Sequence, residues 1–123
     1  MTVKTASVLL AHGSSDKRWQ APFASLAETV DQLSGAENRI ELAYMELCEP
    51  SLESVCHKLA LDGVKHIDIY PLFFAAGRHL RKDVPAQLER LQQELSLTTS
   101  LHEPVGQAEA VKRAIAEVIL EKL

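Results

Sequence analysis

Two histidines stand in loops of the kind that carry chemistry in α/β proteins. His12 lies in Leu9-Leu10-Ala11-His12-Gly13-Ser14-Ser15, and His79 in Phe74-Ala75-Ala76-Gly77-Arg78-His79-Leu80. Each follows an apolar run, has a glycine one or two residues away and precedes an amphipathic stretch. If the two runs are neighbouring parallel strands, both imidazoles reach the same edge of a sheet. A pair of neutral imidazoles converging on one cleft suits a soft-to-borderline divalent metal. The same groups could instead accept protons near neutral pH. Two histidines do not fill a four-coordinate structural site, so an ion held this way could be handed on.

Other residues collect around these two. Glu46 ends an apolar run beside Cys48 and Glu49 and could serve as a third ligand, orient a histidine or collect a proton. Glu49, just before Pro50, reads as a helix-cap acceptor. Arg78, Arg81 and Lys82 make a basic cluster around His79, with Lys17 and Arg18 adding to it after the first strand. That cluster would recognise a polyanion through carboxylates or phosphates. Ser14 and Ser15, ahead of a helix N-terminus, could bind an oxyanion. His57 and His66 read as surface residues, and His102 is ambiguous because it ends a weak strand at the correct edge. Trp19 shares a helical stripe with Phe23 and reads as core.

The elements that must position these residues alternate strand and helix. The first strand runs from Ser7 to Ala11. Asp16 then caps a helix whose apolar positions are Trp19, Phe23, Leu26, Ala27, Val30 and Leu33, ended at Ser34-Gly35. Pro22 points to a true start near Gln20 or Ala21. Arg39 to Met45 reads as a second strand, followed by a helix from about Pro50 with Gly63 as its stop. Lys65 to Phe74 is the third strand, with Pro71 marking the end of regular pairing. Asp83 reads as the N-cap of a helix with Val84, Leu88, Leu91 and Leu95 inward. Leu97 to Leu101 is a polar edge strand, and Gly106 opens a last helix carrying Val111, Ile115, Val118 and Ile119. The expected fold is α/β, a four-stranded parallel sheet with right-handed crossovers and helices on both faces. Such a sheet binds ligands at the carboxyl ends of its strands.

With 123 residues the chain is expected to form one domain over 1–123. Its net charge of −4 gives no case for nucleic acid. No apolar run approaches the roughly 20 residues of a membrane span. Met1 to Ser7 lacks a secretory apolar core, so a cytoplasmic location is expected. Cys48 and Cys56 read as free thiols rather than a disulfide or metal pair.

At Leu10-Ala11-His12-Gly13-Ser14, at Met45-Glu46-Leu47-Cys48-Glu49-Pro50-Ser51 and over Pro71 to Pro85, the sequence resembles the short-form sirohydrochlorin chelatases of the CbiX type, relatives of the class II chelatases. The Gly77-Arg78-His79 segment at its distance from His12-Gly13-Ser14 makes the resemblance specific, and it covers nearly the whole chain. The resemblance implies a flavodoxin-like, chelatase half unit. It also implies insertion of a divalent metal substrate (cobalt, with nickel or iron possible) into sirohydrochlorin, in cobalamin or siroheme biosynthesis, with no organic cofactor. His12 and His79 would bind the metal and help remove pyrrole protons, with Glu46 as a helper. Arg78, Arg81, Lys82 and Ser14 would hold the macrocycle's carboxylates. Long forms carry two such units, so a homodimer with facing clefts is implied.

Other readings compete. A histidine phosphatase would need an arginine before the histidine, where Ala11 stands. A receiver-like module would need acidic residues after the first strand and an aspartate ending the third, where His12 and Phe74 stand. A flavin site would want a tighter phosphate loop than Gly13-Ser14-Ser15-Asp16. A metal- or tetrapyrrole-binding homologue without turnover is the remaining alternative.

Overall fold

A computed structural model describes residues 5–123. Met1 to Lys4, part of the N-terminal stretch considered above as a possible leader, lie outside the described residues. The strands are β1 (Thr5–Ala11), β2 (Ile40–Tyr44), β3 (His66–Pro71) and β4 (Thr98–Leu101). All pair in parallel, in the order β2-β1-β3-β4. The helices are α1 (Lys17–Ser34), α2 (Leu52–Leu61), α3 (Val84–Leu95) and α4 (Glu109–Leu120).

Register and pleat assign the helices to faces. Ala6, Val8 and Leu10 of β1 sit opposite Ile67, Ile69 and Pro71 of β3, and all of these but Pro71 enter one buried cluster with Leu52, Val55, Cys56 and Leu59 of α2 and Leu88 and Leu91 of α3. Each such aliphatic side chain removed from water contributes roughly 2 kcal/mol. The alternate residues, Ser7 and Leu9 with Tyr70 and Ile40, face the other way and meet Leu26 and Val30 of α1 across a hollow of about 350 Å³. One face is therefore closely packed by two helices, and the opposite face is covered incompletely by α1.

That asymmetry corrects the expected burial of two helices. No residue of α1 or α4 is buried. Both apolar stripes exist in the sequence, but periodicity marks a helix face without saying what covers it. Other differences are local. β2 is shorter than Arg39 to Met45, and β3 stops at Pro71, which has no N–H to continue the ladder. α1 begins at Lys17, a turn ahead of Pro22, because the Asp16 carboxylate accepts the Arg18 amide (2.8 Å) and caps it there. Pro22 sits on the exposed side and costs the helix one hydrogen bond. Gly106 lies in a short 3₁₀ turn, Val105–Gln107, and α4 starts after it. β4 is an edge strand, as its polarity suggests.

Candidate functional site

The order β2-β1-β3 places three strand ends side by side, with β1 in the middle. His12 leaves β1, Glu46 follows β2 two residues beyond its end, and the loop after β3 carries His79. At the β1 end, Gly13 adopts φ +106°, and a Cβ there would lie 1.9 Å from the Glu46 carbonyl oxygen. Only glycine permits this approach. It lets the Met45 N–H donate to the Ala11 carbonyl (2.9 Å) and the Glu46 N–H donate to the His12 carbonyl (3.2 Å). The two loops thus extend the ladder past the formal strands, and the His12 Nε2 lies 3.6 Å from the Glu46 carboxylate. The His12 ring also meets Phe73 edge-on, at 6.1 Å between centroids.

His79 opens a turn of π-helix, His79–Asp83, closed by the Val84 N–H donating to the His79 carbonyl. Such turns re-aim side chains within helices. Here the turn brings the Asp83 carboxylate 2.6 Å from His79 Nδ1. With Nδ1–H donating to that carboxylate, Nε2 keeps its lone pair for an ion or a proton. Asp83 therefore does not cap α3, as its position suggested: its backbone is helical and its side chain caps no amide. It is a site residue that the capping reading missed. The signal was present in the sequence, an aspartate four residues after a loop histidine, because a helical turn brings that pair together.

His12 and His79 line one hollow of about 210 Å³ with Met45, Phe73, Arg78 and Leu80. Glu46, His79 and Asp83 line an adjoining one. The four side chains thus form a row along the sheet edge, Glu46 nearest His12 and Asp83 nearest His79. Both imidazoles are well exposed. Among the described residues, His12, Glu46 and His79 do not gather their ligating atoms within 4.8 Å of one another, so the site is open rather than a closed cage.

Arg78, Arg81 and Lys82 are exposed, and among the described residues none carries an ion pair. Arg18 differs. It pairs with Asp16 at 2.9 Å, which holds the Asp16 carboxyl below its usual range and raises the guanidinium. The Asp16 carboxylate thus already occupies the α1 N-terminus considered for an oxyanion. Ser14 Oγ accepts the Asp16 amide (3.0 Å) and keeps its hydroxyl proton.

A second hollow, about 270 Å³, lies on the other side of His12 and is lined by Gly13, Ser14, Trp19, Phe23 and Tyr44. Trp19 was expected in the core but is 69% exposed here. Burial pushes the Tyr44 phenol up, with Cys48 adding to the shift, so it lines this hollow as a neutral group.

The remaining candidates fall elsewhere. His102 donates its Nε2–H to the Asp68 carboxylate (2.9 Å), stacks on Tyr70, and lines neither hollow bordered by His12. His66 is held by Thr98 at the amino end of the sheet. His57 is exposed and approaches Glu53 and Glu94 closely enough to share an ion, but Arg90 already bridges the two carboxylates, at 2.8 and 3.1 Å. Glu49 accepts the Ser51 amide ahead of α2, in line with its reading as a cap acceptor. Cys48 and Cys56 are free thiols, and burial pushes Cys56 up to about 11. Among the described residues no helix is long and apolar enough to cross a membrane.

Comparison with known proteins shows what the chain is similar to. The CbiX family profile matches residues 6–122. The sirohydrochlorin cobaltochelatase of Sulfurisphaera tokodaii is 34% identical over 119 residues, covering 94% of this chain and 88% of that one. A crystal structure described as a putative cobalamin biosynthesis CbiX protein from Marinobacter aquaeolei superposes with a TM-score of 0.86 at 46% identity, covering 96% of both chains. The sirohydrochlorin chelatase SirB from Bacillus subtilis subspecies spizizenii, solved with cobalt, gives a TM-score of 0.83 at 26% identity. The match covers 96% of this chain and 50% of SirB.

Proposed function

This chain belongs to the CbiX family, and from that premise we propose that it inserts a divalent metal ion into sirohydrochlorin, with cobalt the first ion to test and nickel and iron next. The observation that carries the reading is the common hollow bordered by His12 and His79, with His79 oriented by Asp83. Each neutral imidazole gives a lone pair to the incoming ion, and water completes its coordination. The open spacing keeps the ion exchangeable, as delivery to a stronger ligand requires.

Metallation replaces two pyrrole N–H bonds with bonds to the metal and releases two protons. As ring nitrogens take the ion, the imidazoles it leaves become free bases beside those protons. Glu46, 3.6 Å from His12, passes a proton on toward solvent. Arg78, Arg81 and Lys82 pair with the macrocycle's carboxylates, and the Ser14 hydroxyl donates to one more. Ion, macrocycle and side chains supply every atom in this scheme, so it calls for no organic cofactor.

A flat, wide substrate needs two walls, and this chain supplies one. A second copy of the chain provides the other. Two facts support a homodimer: SirB is about twice as long as the matched unit, and α4 leaves Ile115, Val118 and Ile119 exposed. Light scattering of the purified protein checks this, and a monomer at all concentrations would remove it.

The function is tested by mixing the protein anaerobically with sirohydrochlorin and Co²⁺, Ni²⁺ or Fe²⁺ while following the visible spectrum. The expected result is metallation well above the rate without protein for at least one ion. Binding of the macrocycle with no acceleration for any ion would instead identify a carrier.

A further inference from the structure

We propose that the hollow between His12 and Trp19 holds the ring plane of the tetrapyrrole, with the Trp19 indole stacked against the macrocycle; the inference rests on the chelatase reading and deepens it. Trp19 sits in the first turn of α1 and is 69% exposed. An indole is among the largest apolar surfaces a chain can bury, and leaving one open beside a cleft marks a place for a partner ring. Phe23, half-buried, floors the same hollow one turn further along.

Volume supports one ligand spanning both sides of His12. The hollow with Trp19 is about 270 Å³ and the hollow with His79 about 210 Å³. Each falls below the roughly 300 Å³ at which small-ligand pockets begin. They share His12 as a common wall, so a single wide, flat molecule can occupy both.

The chemistry of the two sides is divided in the same sense. No carboxylate, lysine or arginine lines the Trp19 side. The His79 side carries Arg78, with Arg81 and Lys82 beyond it. A tetrapyrrole with a conjugated ring and a carboxylate rim matches that division, placing ring against indole and carboxylates against guanidinium groups. His12, at the junction, then reaches the ring nitrogens while His79 holds the ion from the other side.

The backbone that carries the indole is held in place. The Asp16 carboxylate fixes the start of α1, and Gln20 Nε2 donates to the Ser14 carbonyl (2.8 Å), tying the helix to the loop that carries His12. Stacking on a preorganised aromatic side chain is strong enough to change affinity tenfold or more when removed.

Trp19 is the only tryptophan in the chain, so its fluorescence reports the subsite directly. Metal-free sirohydrochlorin is titrated into the protein, with N-acetyltryptophanamide as the control for light absorbed by the ligand. Saturable quenching beyond that control is expected. W19A is expected to raise KM for sirohydrochlorin about tenfold, W19F to restore most of the loss, and both to take up Co²⁺ as the parent does. A parent KM in W19A, or emission no more quenched than the control, would overturn the proposal. Quenching by a protein that metallates nothing would refute the chelatase reading and leave the stacking site standing, whereas metallation without quenching would do the reverse.

Discussion

Replacing Gly13 by alanine perturbs the site without touching any group that does chemistry, and its size can be worked out. The added Cβ meets the Glu46 carbonyl oxygen at 1.9 Å, where real Cβ contacts stay beyond 3.0 Å. The β1 and β2 loops must therefore part by about 1 Å or more. The φ of +106° adds backbone strain for an L side chain, of order 1–3 kcal/mol. Parting also weakens the Glu46 N–H to His12 carbonyl bond, about 1 kcal/mol more. A total near 2–4 kcal/mol lowers Tm by about 10 °C in a domain of this size. The same movement displaces His12 relative to His79, and a misplacement of about 1 Å costs on the order of 100-fold in rate. Thermal melts by circular dichroism and initial rates of sirohydrochlorin metallation measure the two effects. G77A is the control, since a Cβ there meets nothing within 4 Å, and its Tm is expected within about 2 °C of the parent. A G13A protein with parental Tm and a rate within threefold of parent would refute the account of how β1 and β2 position the site.

The same geometry sets three further outcomes. D83N keeps the shape of the side chain but removes the charge facing His79 Nδ1, and is expected to weaken Co²⁺ binding and slow metallation about 10- to 100-fold, measured by calorimetry and by rate. Changing Arg78, Arg81 and Lys82 together to glutamine is expected to raise KM for sirohydrochlorin and flatten its dependence on salt, with Tm unchanged because all three side chains are exposed. The Cys56 thiol, raised to about 11 against an ordinary 9.0 by burial, binds its proton more tightly folded than unfolded. Its contribution of about 2–3 kcal/mol is therefore complete below about pH 9 and is lost as pH climbs toward 11. Denaturant melts of the parent and C56A across that range check the sign, and iodoacetamide at pH 8 should label Cys48 alone.

Much of this arrangement is legible in the amino-acid order. Apolar runs read as Ser7 to Ala11, Arg39 to Met45 and Lys65 to Phe74 identify the strands to within three residues of their ends, and residues just past a parallel strand's carboxyl end lie at the ligand edge. Sequence order alone thus puts His12, Glu46 and His79 at one edge of the sheet. The role of Asp83 was hidden because an aspartate before Val84-Pro85 looks like a cap, and only the π turn directs it at His79. Trp19 was misread for a related reason. Its helical spacing with Phe23 and Val30 is real, but a periodic stripe records a shared direction and not a covering surface. The same holds for Ile115 and Val118 on α4, which share a direction and stay exposed. The tight contact of Gly13 with Glu46 is a meeting of residues far apart in the chain, and no local pattern announces it.

The central claim is that one ion is gripped by imidazole nitrogens from both loops, and X-ray absorption of Co²⁺-loaded protein counts those nitrogens. The parent should show two imidazoles on each cobalt, H12A and H79A one each, and neither variant should metallate sirohydrochlorin above the rate without protein. A cobalt shell that keeps the same imidazole count in either variant, or parental metallation by both, would contradict it.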